Sequence, residues 1–148
     1  MHADHVVLLV EADPALRRSL EKFLNRAGYI FGSCSTAGEA LDLVRKLRPR
    51  VVICEYRLPD ANGASLLKRF LTADPNLAAI LLSEYDFQVV AQNSDPVHVG
   101  WFLEKPFDLV DLENALSYAC SSTSCRPVRN DLREPAETDD GRFAALLG

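Results

Sequence analysis

The stretch Val51-Val52-Ile53-Cys54-Glu55-Tyr56-Arg57-Leu58-Pro59-Asp60-Ala61-Asn62-Gly63 opens as an unbroken apolar run and closes in turn formers. An apolar run without alternation marks a parallel strand buried on both faces, and Pro, Asp, Asn and Gly in quick succession take the chain out of the sheet. Glu55 sits where the two meet. In an open α/β sheet the C-terminal strand ends form the functional crevice, so this layout delivers an acid to the rim of a candidate site.

Short apolar runs alternate with amphipathic segments in both directions from this stretch, as expected when helices cover both faces of a parallel sheet. Upstream, His5–Val10 reads as a strand, and Asp13 as the N-cap of a helix with Pro14 in its first position. Leu16, Leu20, Phe23, Leu24 and Ala27 form one apolar stripe before Gly28 closes that helix. Tyr29–Cys34 is a second strand. Thr36-Ala37-Gly38-Glu39 is a capping box, opening a helix in which Ala40, Leu41, Val44 and Leu47 face inward before Pro49.

Downstream, a helix is expected over Ala64–Thr72 and a turn at Asp74-Pro75-Asn76. Strands follow at Ala78–Leu82 and Val99–Leu103, both too apolar for a surface position. A last helix starts at Asp108 and buries Leu109, Leu112, Ala115, Leu116 and Ala119. Glu84–Pro96 is the weakest helical segment, because Gln92-Asn93-Ser94-Asp95-Pro96 lacks an apolar face. Five strands alternating with five helices through right-handed crossovers predict an α/β fold, a doubly wound five-stranded parallel sheet. Glu11, after the first strand, and Glu55, after the third, then flank its switch point.

The 148 residues suffice for one domain, here 1–120, and leave no room for a second. With 21 acids against 16 bases the net charge is −5, which disfavours direct binding to nucleic acid or to an anionic membrane. Val6–Val10, the longest N-terminal apolar stretch, is too short for a signal peptide core or a membrane span, so a cytoplasmic protein is expected. Cys34 and Cys54 fall in strands, where thiols behave as small apolar groups, and Cys120 and Cys125 lack zinc-ligand partners. His2, His5 and His98 are isolated and carry no assigned role. Residues 121–148, with Ser121-Ser122-Thr123-Ser124, Pro127, Pro135 and the acids of Glu137–Asp140, read as a disordered tail without an output domain. The tail ends in an apolar Phe143-Ala144-Ala145-Leu146-Leu147.

From Val6 to Ala119 the chain resembles the receiver domains of two-component response regulators. The resemblance rests on Leu9-Val10-Glu11-Ala12-Asp13 with Arg17, on Glu55 through Leu58-Pro59 to Asn62-Gly63, on Leu82-Ser83, and on Lys105-Pro106-Phe107. It implies a flavodoxin-like sheet of strand order 2-1-3-4-5. It also implies a phosphoacceptor at position 55, an acidic pocket of Glu11 and Glu55, phosphoryl-contact positions at Ser83 and Lys105, and a cis Lys105-Pro106 peptide aiming the ammonium inward. Phe102 matches the aromatic switch position, and Trp101 reads as an edge or interface ring. In such domains an acidic pair after the first strand and the third-strand aspartate hold Mg²⁺ during transfer from a histidine kinase.

Three positions depart from that pattern. Ala12 stands where the second acid of the pair should be, and Asp13, one residue on, is better used as a helix cap. Mg²⁺ binding through Glu11 and Glu55 is therefore expected to be weak or absent, and no cofactor is expected. Glu55 replaces aspartate, and its extra methylene moves the carboxylate roughly 1.5 Å. An error of about 1 Å can cost on the order of a hundredfold in transfer, so Glu55 is a poor acceptor and reads as a standing charge reaching towards Ser83 and Lys105. Glu84, beside the hydroxyl, obstructs and repels a phosphodonor.

These departures predict a degenerate receiver-like module with no catalytic residue and no enzymatic activity of its own. It would act by phosphorylation-independent contact with a histidine kinase or other signalling protein, with a homodimer as a further option. Two alternatives stand beside it. One is a working phosphoacceptor response regulator using Glu55 or Asp60. The other is a flavodoxin-like cofactor enzyme, disfavoured because Glu11-Ala12-Asp13-Pro14 would repel a phosphate. The residues fit either an active-like or an inactive state.

Overall fold

The computed structural model describes residues 6–92 and 100–121. His2, His5, His98, Val99, Cys125 and the tail beyond Ser121 lie outside the described residues. The strands are β1 (Val6–Val10), β2 (Ile30–Cys34), β3 (Val51–Glu55), β4 (Ala78–Ser83) and β5 (Trp101–Glu104). The helices are α1 (Pro14–Arg26), α2 (Ala37–Leu47), α3 (Gly63–Ala73), α4 (Phe87–Gln92) and α5 (Leu109–Ser121). All neighbouring strands are parallel, in the order β2-β1-β3-β4-β5.

That order fixes which helix covers which face. The chain steps one way from β1 to β2 and the other way from β2 to β3, β4 and β5, so right-handed crossovers put α1 opposite α2, α3 and α4. Side-chain alternation agrees. Leu8, Val10, Val52, Cys54, Ala79, Leu81 and Phe102 form one core cluster with residues of α2, α3 and α4. Val7, Leu9, Val51, Ile53, Ala78, Ile80, Leu82 and Trp101 form the other with α1 and α5. Each fully buried leucine or isoleucine of these layers stabilises the fold by about 1.5–3 kcal/mol relative to exposure.

Local chemistry sets the helix ends. Asp13 Oδ1 accepts from the Ala15 amide at 3.0 Å, with Pro14 following, and Gly28 takes a left-handed φ of 88° after α1. Thr36 Oγ1 accepts from the Glu39 amide at 3.1 Å, while Glu39 Oε1 accepts from the amide of Ser35, one residue before the cap. The box is thus displaced by one residue on its return arm. Past α2, Arg48 adopts a left-handed φ of 49°, a position the sequence offered no glycine to mark.

Two expectations change. β5 is the sheet's edge and its second half, Leu103 and Glu104, is only half-buried, while Trp101 and Phe102 are buried on its two opposite faces. Trp101, expected as an edge or interface ring, does stand on the edge strand, but it is 7 % exposed and meets Tyr118 of α5 edge-on at 6.0 Å. An alternating strand residue sharing a face with Ile80 must point under α5, which is why the ring is core. Within the segment after β4, the described residues Phe87–Gln92 form a helix, with Phe87 and Val90 buried.

Trp101→Ala is expected to cost about 3–5 kcal/mol in urea unfolding, the range for emptying a buried aromatic site. A loss confined to partner binding would restore the interface reading. Gly63 gives a second test, because a Cβ there would lie 1.9 Å from the Glu55 carbonyl oxygen. Gly63→Ala should lower stability by about 3 kcal/mol or more, since the obstacle is backbone that cannot rotate away.

Candidate functional site

The parity that builds the two layers also assembles the site. Residues 7 and 9, 51 and 53, and 101 point to the α1/α5 face, and Glu11, Glu55 and Lys105 continue those three odd-numbered series past the strand ends. Register brings them level, with Leu9 opposite Ile53 and Leu82 opposite Glu55. Glu11 is 1 % and Glu55 5 % exposed. Two carboxylates so buried require a cation or a proton.

Lys105 supplies the cation. Its Nζ hydrogen-bonds Glu55 Oε1 in a close ion pair and lies 3.0 Å from Glu11 Oε1 and 3.3 Å from Glu11 Oε2. The hydrogen bond to Glu11 is through Oε2, while the nearer Oε1 makes only the ionic contact. Backbone amides complete the cage: Asp13 N donates to Glu11 Oε2 at 3.1 Å and Arg57 N to Glu55 Oε2 at 3.0 Å. The Lys105-Pro106 peptide is cis.

Burial raises the Glu11 carboxyl above its usual range, and the like charge of Glu55 adds to the rise, against the pull of the Asp13 amide and Lys105. For Lys105, burial acts to lower the pKa, but the hydrogen bond to Glu55 and the attraction of Glu11 outweigh it and leave the ammonium raised. A lysine held between two acids stays charged.

The other expected residues are placed as follows. Ser83 is fully buried beside Lys105, whose amide donates to the Ser83 carbonyl at 2.7 Å, and Ser83 Oγ accepts from the Tyr85 amide at 2.9 Å. Glu55 does not spend its oxygens on that hydroxyl, because Lys105 and the Arg57 amide take one each. Ala12 is half-buried against the α2/α3 layer and presents no oxygen. Glu84 stands exposed on the rim of a cavity that Lys105, Asp13 and Pro106 also line. Phe102 is buried edge-on to Phe87 at 5.4 Å. Cys34 and Cys54 are buried free thiols, Cys34 pushed up to about 11 by burial.

Three roles had no signal in the sequence. Asp60, considered as a substitute acceptor, gives Oδ1 to the Ala37 amide at 2.8 Å and Oδ2 to the Gly38 amide at 3.0 Å. It pins the loop after β3 to the start of α2, and those amides hold its carboxyl below the usual range. Arg17 Nη1 donates to the Glu11 carbonyl at 2.9 Å, fixing the backbone that carries the acid. Arg57 turns its guanidinium outward, hydrogen-bonding the Tyr85 hydroxyl and lying 5.8 Å from that ring, away from the acids. Spacing cannot show such contacts, since those of Asp60 and Arg57 join segments more than twenty residues apart and that of Arg17 depends on how the chain turns from β1 into α1.

Mg²⁺ does not fit this donor set. A hard cation needs several oxygens, whereas both carboxylates here already surround an ammonium and position 12 offers none. Among the described residues no group of three His, Cys, Asp or Glu side chains could hold a metal ion.

The family model of the response regulator receiver domain matches residues 7–117. Sporulation initiation phosphotransferase F of Bacillus subtilis is 28 % identical over 110 residues, 74 % of this chain and 89 % of that protein. Chemotaxis protein CheY of Thermotoga maritima is 27 % identical over 112 residues, 75 % of this chain and 93 % of that protein. Among solved structures, the response regulator TrrA of Thermotoga maritima in complex with Mg²⁺-BeF superposes with a TM-score of 0.71 at 19 % identity. That superposition covers 78 % of this chain and 98 % of TrrA.

Lys105→Met should destabilise the fold by about 3 kcal/mol at pH 7, because it strands two buried carboxylates. The loss should shrink on acidification. Burial already raises the Glu11 carboxyl above its unfolded value of 4.5, and removing the cation raises it further, so the variant loses stability as pH climbs from 4.5 towards the folded value. Urea midpoints at pH 4 and pH 7 measure this. A loss equal at both would mean that the lysine acts by packing alone.

Proposed function

The chain belongs to the response regulator receiver domain family, and from that footing we propose that it is a receiver that no longer takes a phosphoryl group and signals by protein contact. Receiver domains work in two-component signalling with kinases and effector domains, and their phosphoryl chemistry depends on Mg²⁺. The observation that carries the narrower reading is the ammonium of Lys105 lodged between Glu11 and Glu55. That ammonium takes one oxygen of Glu55 and faces both oxygens of Glu11, so a divalent ion would have to compete with it for the same donors.

Three features act in the same direction. Ala12 removes an oxygen ligand, Glu55 carries its carboxylate too far for an in-line acceptor, and Glu84 puts an anion at the rim. Asp60 is a poor replacement acceptor, because two backbone amides occupy its oxygens. On this reading the protein has no enzymatic activity. It works in the cytoplasm, and its partner is a histidine kinase or another signalling protein, with self-association as an option. It does not bind nucleic acid directly, in keeping with a net charge of −5. Among the described residues no helix is long and apolar enough to cross a membrane.

Incubation with acetyl phosphate and Mg²⁺ followed by intact-mass measurement tests the proposal. The natural sequence should stay unmodified, and an Ala12→Asp, Glu55→Asp, Glu84→Gly variant should gain one phosphoryl group. Stoichiometric labelling of the natural sequence would overturn the reading.

A further inference from the structure

The α1/α5 face carries an apolar groove that the acid site does not use. Two neighbouring cavities, of about 510 and 430 Å³, meet at Ser19 and Leu109. The larger one, beside the acid site, is floored by Leu16, Leu20 and Phe107, and the smaller continues along α1 past Phe23 to Ala27. Leu109 is 47 % exposed and the adjoining Val110 61 %, which leaves large apolar side chains in water at the start of α5. The two ends differ in charge, with Lys22 and Arg26 at the α1 C-terminal end and Asp13 and Glu84 at the other.

We infer that this groove is the docking site of the chain's own C-terminal segment, Phe143-Ala144-Ala145-Leu146-Leu147. Charge order, apolar content and reach all support this occupant. The acids Glu137, Asp139 and Asp140 precede the apolar residues in the sequence. A segment returning from the end of α5 meets the Lys22/Arg26 end first, so its acids arrive at the basic rim and its apolar residues come next, over Leu20, Leu16 and Phe107. Reach is adequate. The 13 residues of α5 span about 20 Å, and a coil as long as residues 122–142 has an end-to-end distance of about 25 Å. Tethering at that length gives an effective concentration in the millimolar range, enough for a short apolar segment to occupy a modest groove.

Backbone ¹⁵N relaxation on the full chain provides the test. Residues 143–147 should have order parameters of about 0.8, dropping below about 0.6 in a Phe143→Asp, Leu146→Asp variant. A Leu109→Asp variant should produce the same drop from the groove side, and its half-exposed position spares the fold. Shifts between natural sequence and tail variant should map to residues 16–27 and 106–112. Values below about 0.6 in the natural sequence, or shifts elsewhere, overturn the inference. Ordering that vanishes on dilution overturns it in favour of the tail of a second copy.

Discussion

Everything at the crevice depends on one ammonium shared by two buried carboxylates. Taking Glu11 and Glu55 out of water costs several kcal/mol per ion, which attraction to Lys105 and the amides of Asp13 and Arg57 offset, although Glu11 Oε1 keeps only its ionic contact. The arrangement ties the ends of β1 and β3 to the end of β5, the last strand of the sheet. Its net charge is negative when both acids are ionised, and burial, with a smaller push from Glu55, raises the Glu11 carboxyl above its usual range. The cluster therefore holds one more acid than it can neutralise, and it still has no room for a divalent ion without expelling the lysine.

The sheet makes this cluster almost unavoidable. Because side chains alternate, any residue two positions beyond a core residue of the α1/α5 layer returns to that face, and parallel register sets the three strand ends level. Ala12 has the opposite parity and packs against the α2/α3 layer. An acid there would enter the pocket from the other side, at an angle Lys105 does not serve. Position 12 thus adds no charge to the pocket, where Lys105 alone faces Glu11 and Glu55.

Much of this was legible in the residues. Apolar runs without alternation gave the strands, and Asp13-Pro14 and Thr36 gave helix starts that the hydrogen bonds reproduce. Glu11, Glu55 and Lys105 could be assigned to one crevice because strand ends are punctuated by a change from apolar to charged residues. What escaped were contacts set by the three-dimensional course of the chain: Asp60 on the α2 amides, Arg17 on the Glu11 carbonyl across the β1–α1 turn, and Trp101 under Tyr118. Trp101 misled because an aromatic near a strand start looks the same on an edge or beneath a helix. Strand parity was the information that decides it. The left-handed Arg48 escaped for a different reason, since it follows from how neighbouring elements fit and not from local propensity.

The distribution of hydrogen bonds also constrains what the charge at position 55 can signal. An imitation of a phosphoryl group must pull on both the lysine and the hydroxyl after β4. Glu55 engages the lysine alone, while the Ser83 oxygen accepts from Tyr85 within its own turn. Phe102 meanwhile stays buried against Phe87, packed into the layer that α4 covers. The loop after β4 is therefore held by contacts of its own, independent of Glu55. In the proposed reading Glu55 sets the electrostatics of the pocket without drawing that loop inward, so it occupies the place of a signal more than it imitates one.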